Sequence, residues 1–145
     1  MDSVNFFFED TPEFSLDHGL LHEWLNHVIE SEGQTLHELN YILCSDEYLY
    51  NINVEYLNHD YYTDVITFDN SETKDQIEGD IFISIDRVKE NAVAASTSLH
   101  NELQRIIVHG LLHLLGYNDK TPEEKSAMTE KENAYLSLPQ FQLDS

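Results

Sequence analysis

Positive charge is what this sequence has least of. Its 145 residues carry 7 Lys and Arg against 28 Asp and Glu, a formal net charge of −21. None of the basic residues precedes Lys74. That excludes nucleic-acid binding through a broad basic surface that neutralises many phosphates. A polyanionic partner has to be brought in by a bound cation or by a small local patch. Cysteine is nearly absent as well: Cys44 stands alone, so no internal disulfide forms, which suits a reducing compartment. No apolar run approaches the roughly 20 residues that cross a bilayer. The opening Met1-Asp2-Ser3-Val4-Asn5 lacks the basic stretch of a secretory signal. The expectation is a soluble, cytoplasmic protein with neither membrane nor DNA as a partner.

What is present is enough for one core, with 41% hydrophobic and 11% aromatic residues. No linker or internal repeat interrupts residues 1–145, which read as a single domain. Val4 to Phe8, closed by Glu9-Asp10-Thr11-Pro12, predicts a first strand. Leu20, Leu21, Trp24, Leu25, Val28 and Ile29 recur at helical spacing between Leu16 and Ser31, with Ser15 as the expected N-cap. Leu39 to Leu43 alternates as a strand, and Ser45 opens a helix through about Leu57. Val65–Phe68 and Asp80–Ile85, the latter entered through Gly79, predict two more strands. Helices are expected over Asp86–Ala95, Leu99–Leu115 and Thr121–Leu136, the last with Pro122, Glu123 and Glu124 in its first turn. Strands and helices interleave without a strict βαβ rhythm. The fold class predicted is α+β, a small mixed four-stranded sheet packed with about five helices.

The stretch Val108-His109-Gly110-Leu111-Leu112-His113-Leu114-Leu115-Gly116-Tyr117-Asn118-Asp119 carries the chemistry. On a helix, His109 and His113 stand one turn apart on one face and can share a cation. Their neighbours from Ile106 to Leu115 are almost all apolar, and lone imidazoles on a buried helix are costly unless they are bonded. Gly116 is placed to end the helix in a left-handed cap, which swings Asp119 back over the same face. Histidines, glycine turn and third ligand follow the spacing of the zincin-like metal helix of metzincins. Three N/O ligands with one open position describe a catalytic site. The same pentapeptide occurs at His18-Gly19-Leu20-Leu21-His22 without a glycine turn after it, so no shared ligand is expected there.

Position 110 separates chemistries. Zinc peptidases of the H-E-x-x-H type carry a Glu beside the first ligand as general base. Here it is Gly110, expected to leave room beside the cation for a bulky substrate group. Metal-assisted hydrolysis remains, with the cation lowering the pKa of bound water and polarising a phosphoryl oxygen.

These residues resemble the YbeY-type endoribonucleases of bacterial rRNA maturation. Leu57-Asn58-His59 with Thr63-Asp64-Val65-Ile66-Thr67-Phe68 is similar to the family's LN…TDVLSF segment. Glu78-Gly79-Asp80-Ile81-Phe82-Ile83-Ser84 is similar to its GDIxIS strand, and the pattern from Glu102 to Gly116, with Val108-His109-Gly110-Leu111-Leu112-His113-Leu114, to its VHGxLHLxGYDH signature. Glu124, Met128 and Glu132 continue the match in an acidic C-terminal helix. The resemblance implies a zincin-like α+β fold and one Zn2+ or other divalent ion on His109, His113 and Asp119. It also implies metal-dependent cleavage of single-stranded ribosomal RNA at the 16S rRNA 3′ end, with a role in ribosome quality control. Two departures stand out. Asp119 replaces the family's usual third His, a harder ligand that shifts preference toward Mn or Mg. The Arg expected between Asn58 and Thr63 is missing. The competing readings are a metzincin-like metallohydrolase or peptidase, and a non-catalytic ribosome assembly factor with a structural metal.

Other side chains have a functional and a structural reading each. Arg105, one turn before His109, offers a bidentate grip on phosphate or a pairing with Glu102 or another acid. Arg87 and Lys89 guide RNA or form a solvated face. Asp64 and Asp80 hold an imidazole N–H or serve turns. Tyr61, Tyr62 and Tyr117 stack on bases or pack. His59 and His100 approach a cleft or lie on the surface, and Cys44 is expected to be inert core.

Overall fold

The computed structural model describes residues 2–142 and confirms the α+β class. Strand β1 (Ser3–Glu9) leads through helix α1 (His18–Ser31) to β2 (Thr35–Cys44), and α2 (Asp46–Leu57) follows. Strands β3 (Val65–Asp69) and β4 (Gln76–Ser84) come next, then α3 (Ile85–Ala94), α4 (Leu99–Leu114), α5 (Pro122–Leu136) and a short 3-10 turn, Pro139–Phe141. The sheet order is β1-β2-β4-β3. β1, β2 and β4 run parallel and β3 is antiparallel to β4.

Strand alternation divides the apolar residues between two faces. Leu39, Tyr41 and Leu43 of β2 and Ile77, Ile81 and Ile83 of β4 meet α1, α4 and α5 in the main core. Ile66, Cys44 and Leu49 form a smaller cluster under α2 on the other face. Leu103, Ile106, Ile107, Val108, Leu111 and Leu112 are all buried along α4. Each such aliphatic side chain is worth about 1.5–3 kcal/mol of burial, so α4 is fixed firmly in place. The Tyr41 hydroxyl donates to the Ile107 carbonyl at 2.9 Å, and Trp24 Nε1 donates to the Tyr135 carbonyl at 3.0 Å. Those two bonds tie α4 to the sheet and α5 to α1.

Several boundaries differ from the sequence expectation. The N-cap of α1 is Asp17, whose carboxylate accepts from the Leu20 amide at 3.1 Å, in place of Ser15. Both residues are good caps; Asp17 is the one directly in front of the helix. β2 and β4 begin earlier than expected, at Thr35 and Gln76, because the Thr35 amide bonds the Asp75 carbonyl at 2.8 Å and the two strands pair from there. Ser84 closes β4 and caps α3, so Ile85 is helical.

Candidate metal centre

The site rests on the end of α4. Gly110 sits where α4 crosses the sheet: a Cβ there would stand 2.8 Å from Ile81 Cγ2, with Val65 also close. The missing side chain therefore faces β4 and β3, a correction to the expectation of substrate room beside the cation. It lets the helix approach the sheet closely, while His109 and His113 emerge on the flank turned to α5. Gly116 has φ 107°, as the cap expectation requires. Its amide donates to the His113 carbonyl at 3.1 Å and the Tyr117 amide to the Leu112 carbonyl at 3.0 Å, the paired bonds of a Schellman cap.

Asp119 comes back over the helix end as expected. His109 Nε2 and His113 Nε2 lie 3.1 Å apart, and Asp119 Oδ2 is 3.3 Å from the first and 3.5 Å from the second. Among the described residues this is the one group of three donors able to hold a metal ion. The other ring nitrogens are already used. His109 Nδ1–H donates to Glu132 Oε2 at 2.6 Å, and His113 Nδ1–H donates to the Tyr117 carbonyl at 3.1 Å. Each bond puts the proton on Nδ1 and leaves the Nε2 lone pair facing the shared point.

Glu132, buried on α5, is the group that sequence reasoning missed as an imidazole partner. It also accepts from Arg105 Nη1 at 2.8 Å. Burial opposes its charge, but the His109 and Arg105 bonds outweigh that and hold its carboxyl below the usual range. For His109, burial pulls the pKa down while Glu132, Asp119 and Asp64 pull it up, and the carboxylates prevail. The available signal was position: Glu132 lies one turn after Met128, on the face that α5 buries.

Other expected residues fall as follows. Arg105 pairs with Glu132 and, through Nη2, with Asn133 at 2.9 Å, rather than with Glu102. Asp64 acts on His109 through space, whereas Asp80 is bound to Asn40 at 3.0 Å and Asn70 at 3.3 Å, in a polar row across the sheet. Asp80 therefore holds no imidazole. Arg87 is locked to Asp46 at 3.0 Å over the Tyr62 ring, and Lys89 is exposed. Tyr61 stacks on His59 and Tyr62 on Tyr50, while the Tyr117 hydroxyl donates to Glu32 at 2.6 Å. His100 meets Phe14 edge-on. His18 packs against Phe6 and His22 faces Asp2 at 3.9 Å, so they share no metal group. Cys44 is buried, and burial with nearby acids pushes its thiol up to about 12, as inert core requires.

The family described as Endoribonuclease YbeY matches residues 8–139. Endoribonuclease YbeY of Cytophaga hutchinsonii is 54% identical over 140 residues, 97% of this chain and 98% of that protein. The protein of the same name from Flavobacterium johnsoniae is 46% identical, covering 93% of this chain and 96% of its own. The solution structure of TM1509 from Thermotoga maritima superposes with a TM-score of 0.61 at 26% identity, covering 96% of this chain and 97% of that one.

Proposed function

This chain belongs to the Endoribonuclease YbeY family, an RNA hydrolase, and on that premise we propose that its reaction centre is one Zn2+ ion held by His109, His113 and Asp119. The substrate is single-stranded ribosomal RNA at the maturing 16S rRNA 3′ end, met on the ribosome in the cytoplasm, where the same cleavage serves ribosome quality control. Residues 1–145 act as one metallo-endoribonuclease domain. None of the described helices is long and apolar enough to cross a membrane.

The observation that carries the reading is the spacing of three donor atoms at 3.1, 3.3 and 3.5 Å. Tetrahedral bonds of about 2.0–2.1 Å separate ligand atoms by about 3.3–3.4 Å. Octahedral Mg2+ at about 2.0–2.1 Å draws neighbouring ligands to about 2.9 Å. Three N/O donors this close together suit one shared ion, and two imidazole nitrogens among them favour zinc over the harder ions that a carboxylate ligand alone suggests. Side-chain exposure of 25% at His113 and 37% at Asp119 leaves the centre open to solvent and substrate, unlike a closed structural site.

When bound, the ion supplies Lewis acidity toward phosphoryl oxygen and lowers the pKa of water. The protein's part is to hold the ligands. Glu132 and the Tyr117 carbonyl fix the two imidazole tautomers. Arg105 steadies Glu132 and, with 36% of its side chain exposed, offers the nearby charge for a phosphate. The peptidase reading lacks the Glu that H-E-x-x-H enzymes carry beside the first ligand, because position 110 has no side chain and faces Ile81.

The test is cleavage of single-stranded RNA and of a casein-type peptide, each with and without chelator and with zinc restored. Chelator-sensitive, zinc-restored RNA cleavage with an intact peptide is expected. RNA left uncut under every divalent ion tried overturns the proposal in favour of a non-catalytic ribosome factor.

A further inference from the structure

A second carboxylate stands behind the turn that carries Asp119, bonded to Tyr117 and to α5. Glu32 is the residue after the last turn of α1, with 12% of its side chain exposed. Its Oε1 accepts from the Tyr117 hydroxyl at 2.6 Å, and its Oε2 accepts from Lys131 Nζ at 3.1 Å and from the Tyr135 hydroxyl. Burial works against the charge, but these donors outweigh it and hold the carboxyl below its usual range. One carboxylate thus gathers α1, α5 and the turn that follows α4.

Tyr117 gives that gathering its meaning. Its carbonyl is the acceptor that orients His113 Nδ1, and its amide closes the Schellman cap of α4. Two residues later comes Asp119, the third donor. The turn is held from behind by α5, where Glu124 Oε1 accepts from the amides of Lys120 and Thr121 at 3.2 and 3.0 Å. From the side, its anchor is the Tyr117 phenol, stacked below Lys131 at 5.7 Å and bonded to Glu32. Freed of that anchor, the ring and backbone at 117 can rotate. The carbonyl on His113 and the carboxylate of Asp119 then lose their setting together.

We propose that Glu32 is a positioning residue of the metal centre, acting through Tyr117 on His113 and Asp119. The proposal rests on the metal reading above. A carboxylate is required at position 32 because three donors converge on two acceptor oxygens; a glutamine offers one acceptor and turns an NH2 toward the other donors. Tyr135 shares the carboxylate but makes no bond to the imidazoles, so it separates local stability from ligand positioning.

The experiment compares the parent with Tyr117→Phe, Glu32→Gln and Tyr135→Phe. Zinc affinity is measured by chelator competition, the Co2+-substituted visible spectrum is recorded, and thermal stability is measured without metal. Outer-sphere partners of metal ligands are worth about 10–100-fold in affinity. Tyr117→Phe and Glu32→Gln are expected to lose about tenfold or more and to weaken the tetrahedral Co2+ bands. Their effects should overlap in the double variant, because they cut the same chain of contacts. Tyr135→Phe is expected to lower stability while keeping affinity within about twofold. Equal affinity in all four proteins, or a loss in Tyr135→Phe matching that in Tyr117→Phe, overturns the proposal and leaves Glu32 a structural tie. A parent that binds neither Zn2+ nor Co2+ overturns the metal reading itself, a result distinct from a parent that binds and variants that bind equally well.

Discussion

Replacing Glu132 with Gln puts the design of the centre to its most direct test. The substitution keeps shape and removes charge from a buried side chain that accepts from His109 Nδ1 at 2.6 Å and Arg105 Nη1 at 2.8 Å. A glutamine has one acceptor, so either the imidazole or the guanidinium is left facing an NH2 group. An orphaned buried donor costs about 1–3 kcal/mol. Arg105 is a third exposed and can turn to water, which puts the cost in the lower half, about 1–2 kcal/mol. For a chain of this length that lowers the melting temperature of the metal-free protein by about 2–8 °C. Metal affinity suffers separately. The carboxylate makes His109 a stronger ligand, and its loss is expected to weaken zinc binding about 10–100-fold, or about 1.4–2.7 kcal/mol. Chelator competition at neutral pH measures the second quantity, and melting curves with and without zinc measure both. The gap between loaded and metal-free melting temperatures should therefore shrink. An unchanged zinc affinity in a folded Glu132→Gln protein refutes the reasoning. So does an equal loss in Asn133→Ala, which removes the Nη2 partner of Arg105 without touching the imidazole.

Other outcomes follow from particular contacts. Gly110→Ala sets a methyl 2.8 Å from Ile81 and is expected to cost about 1–3 kcal/mol in thermal unfolding; full stability with impaired RNA cleavage would show that the glycine serves substrate instead. Asp119→His exchanges a charged oxygen for a neutral nitrogen and is expected to keep RNA cleavage while narrowing the supporting ions toward zinc, as read by activity across a divalent series. Glu32 has a lowered folded pKa, so its stabilisation is present above the unfolded value of 4.5 and is lost as pH falls through the folded value. Chelated parent should thus lose stability below pH 4.5 more steeply than Glu32→Gln, and parallel curves would contradict it. The salt dependence of RNA binding should report about two or three phosphate contacts, at about 0.7 per contact for single strands; a slope of six or more means a basic surface has gone unseen.

The parts legible in the sequence were those that local pattern controls. The α4 periodicity, the glycine cap and the return of Asp119 to the histidines all lie within one continuous stretch, where helix geometry alone sets distances. Residues that act across elements were not legible. Glu132 reads as an ordinary charge on an acidic helix until α5 packs on α4, and Glu32 reads as a helix-end acid until Tyr117 and Tyr135 reach it from far along the chain. Gly110 was misread because periodicity gives the helix face but not which neighbour fills it. Only the close pass over Ile81 shows that the sheet does.

Charge ties these observations together. Three of the seven basic side chains are engaged internally: Arg87 by Asp46, Arg105 by Glu132 and Lys131 by Glu32. Arg105 steadies the buried Glu132 that accepts from His109, and Lys131 steadies the half-buried Glu32 that accepts from Tyr117, so two of the scarce cations serve carboxylates beside the candidate centre. Lys74, Lys89, Lys120 and Lys125 are exposed but scattered along the chain, too dispersed to form a phosphate-neutralising surface. On the proposed reading, a protein of net charge −21 repels a polyanion over most of its surface, and a divalent ion with the exposed part of Arg105 supplies the local positive charge that offsets it. Repulsion elsewhere is an aid to selectivity, because an RNA that fails to reach the ion gains nothing from the rest of the surface. On the proposed reading, cleavage at this centre favours strands flexible enough to enter its open side, which is a physical ground for the proposed preference for single-stranded over paired RNA.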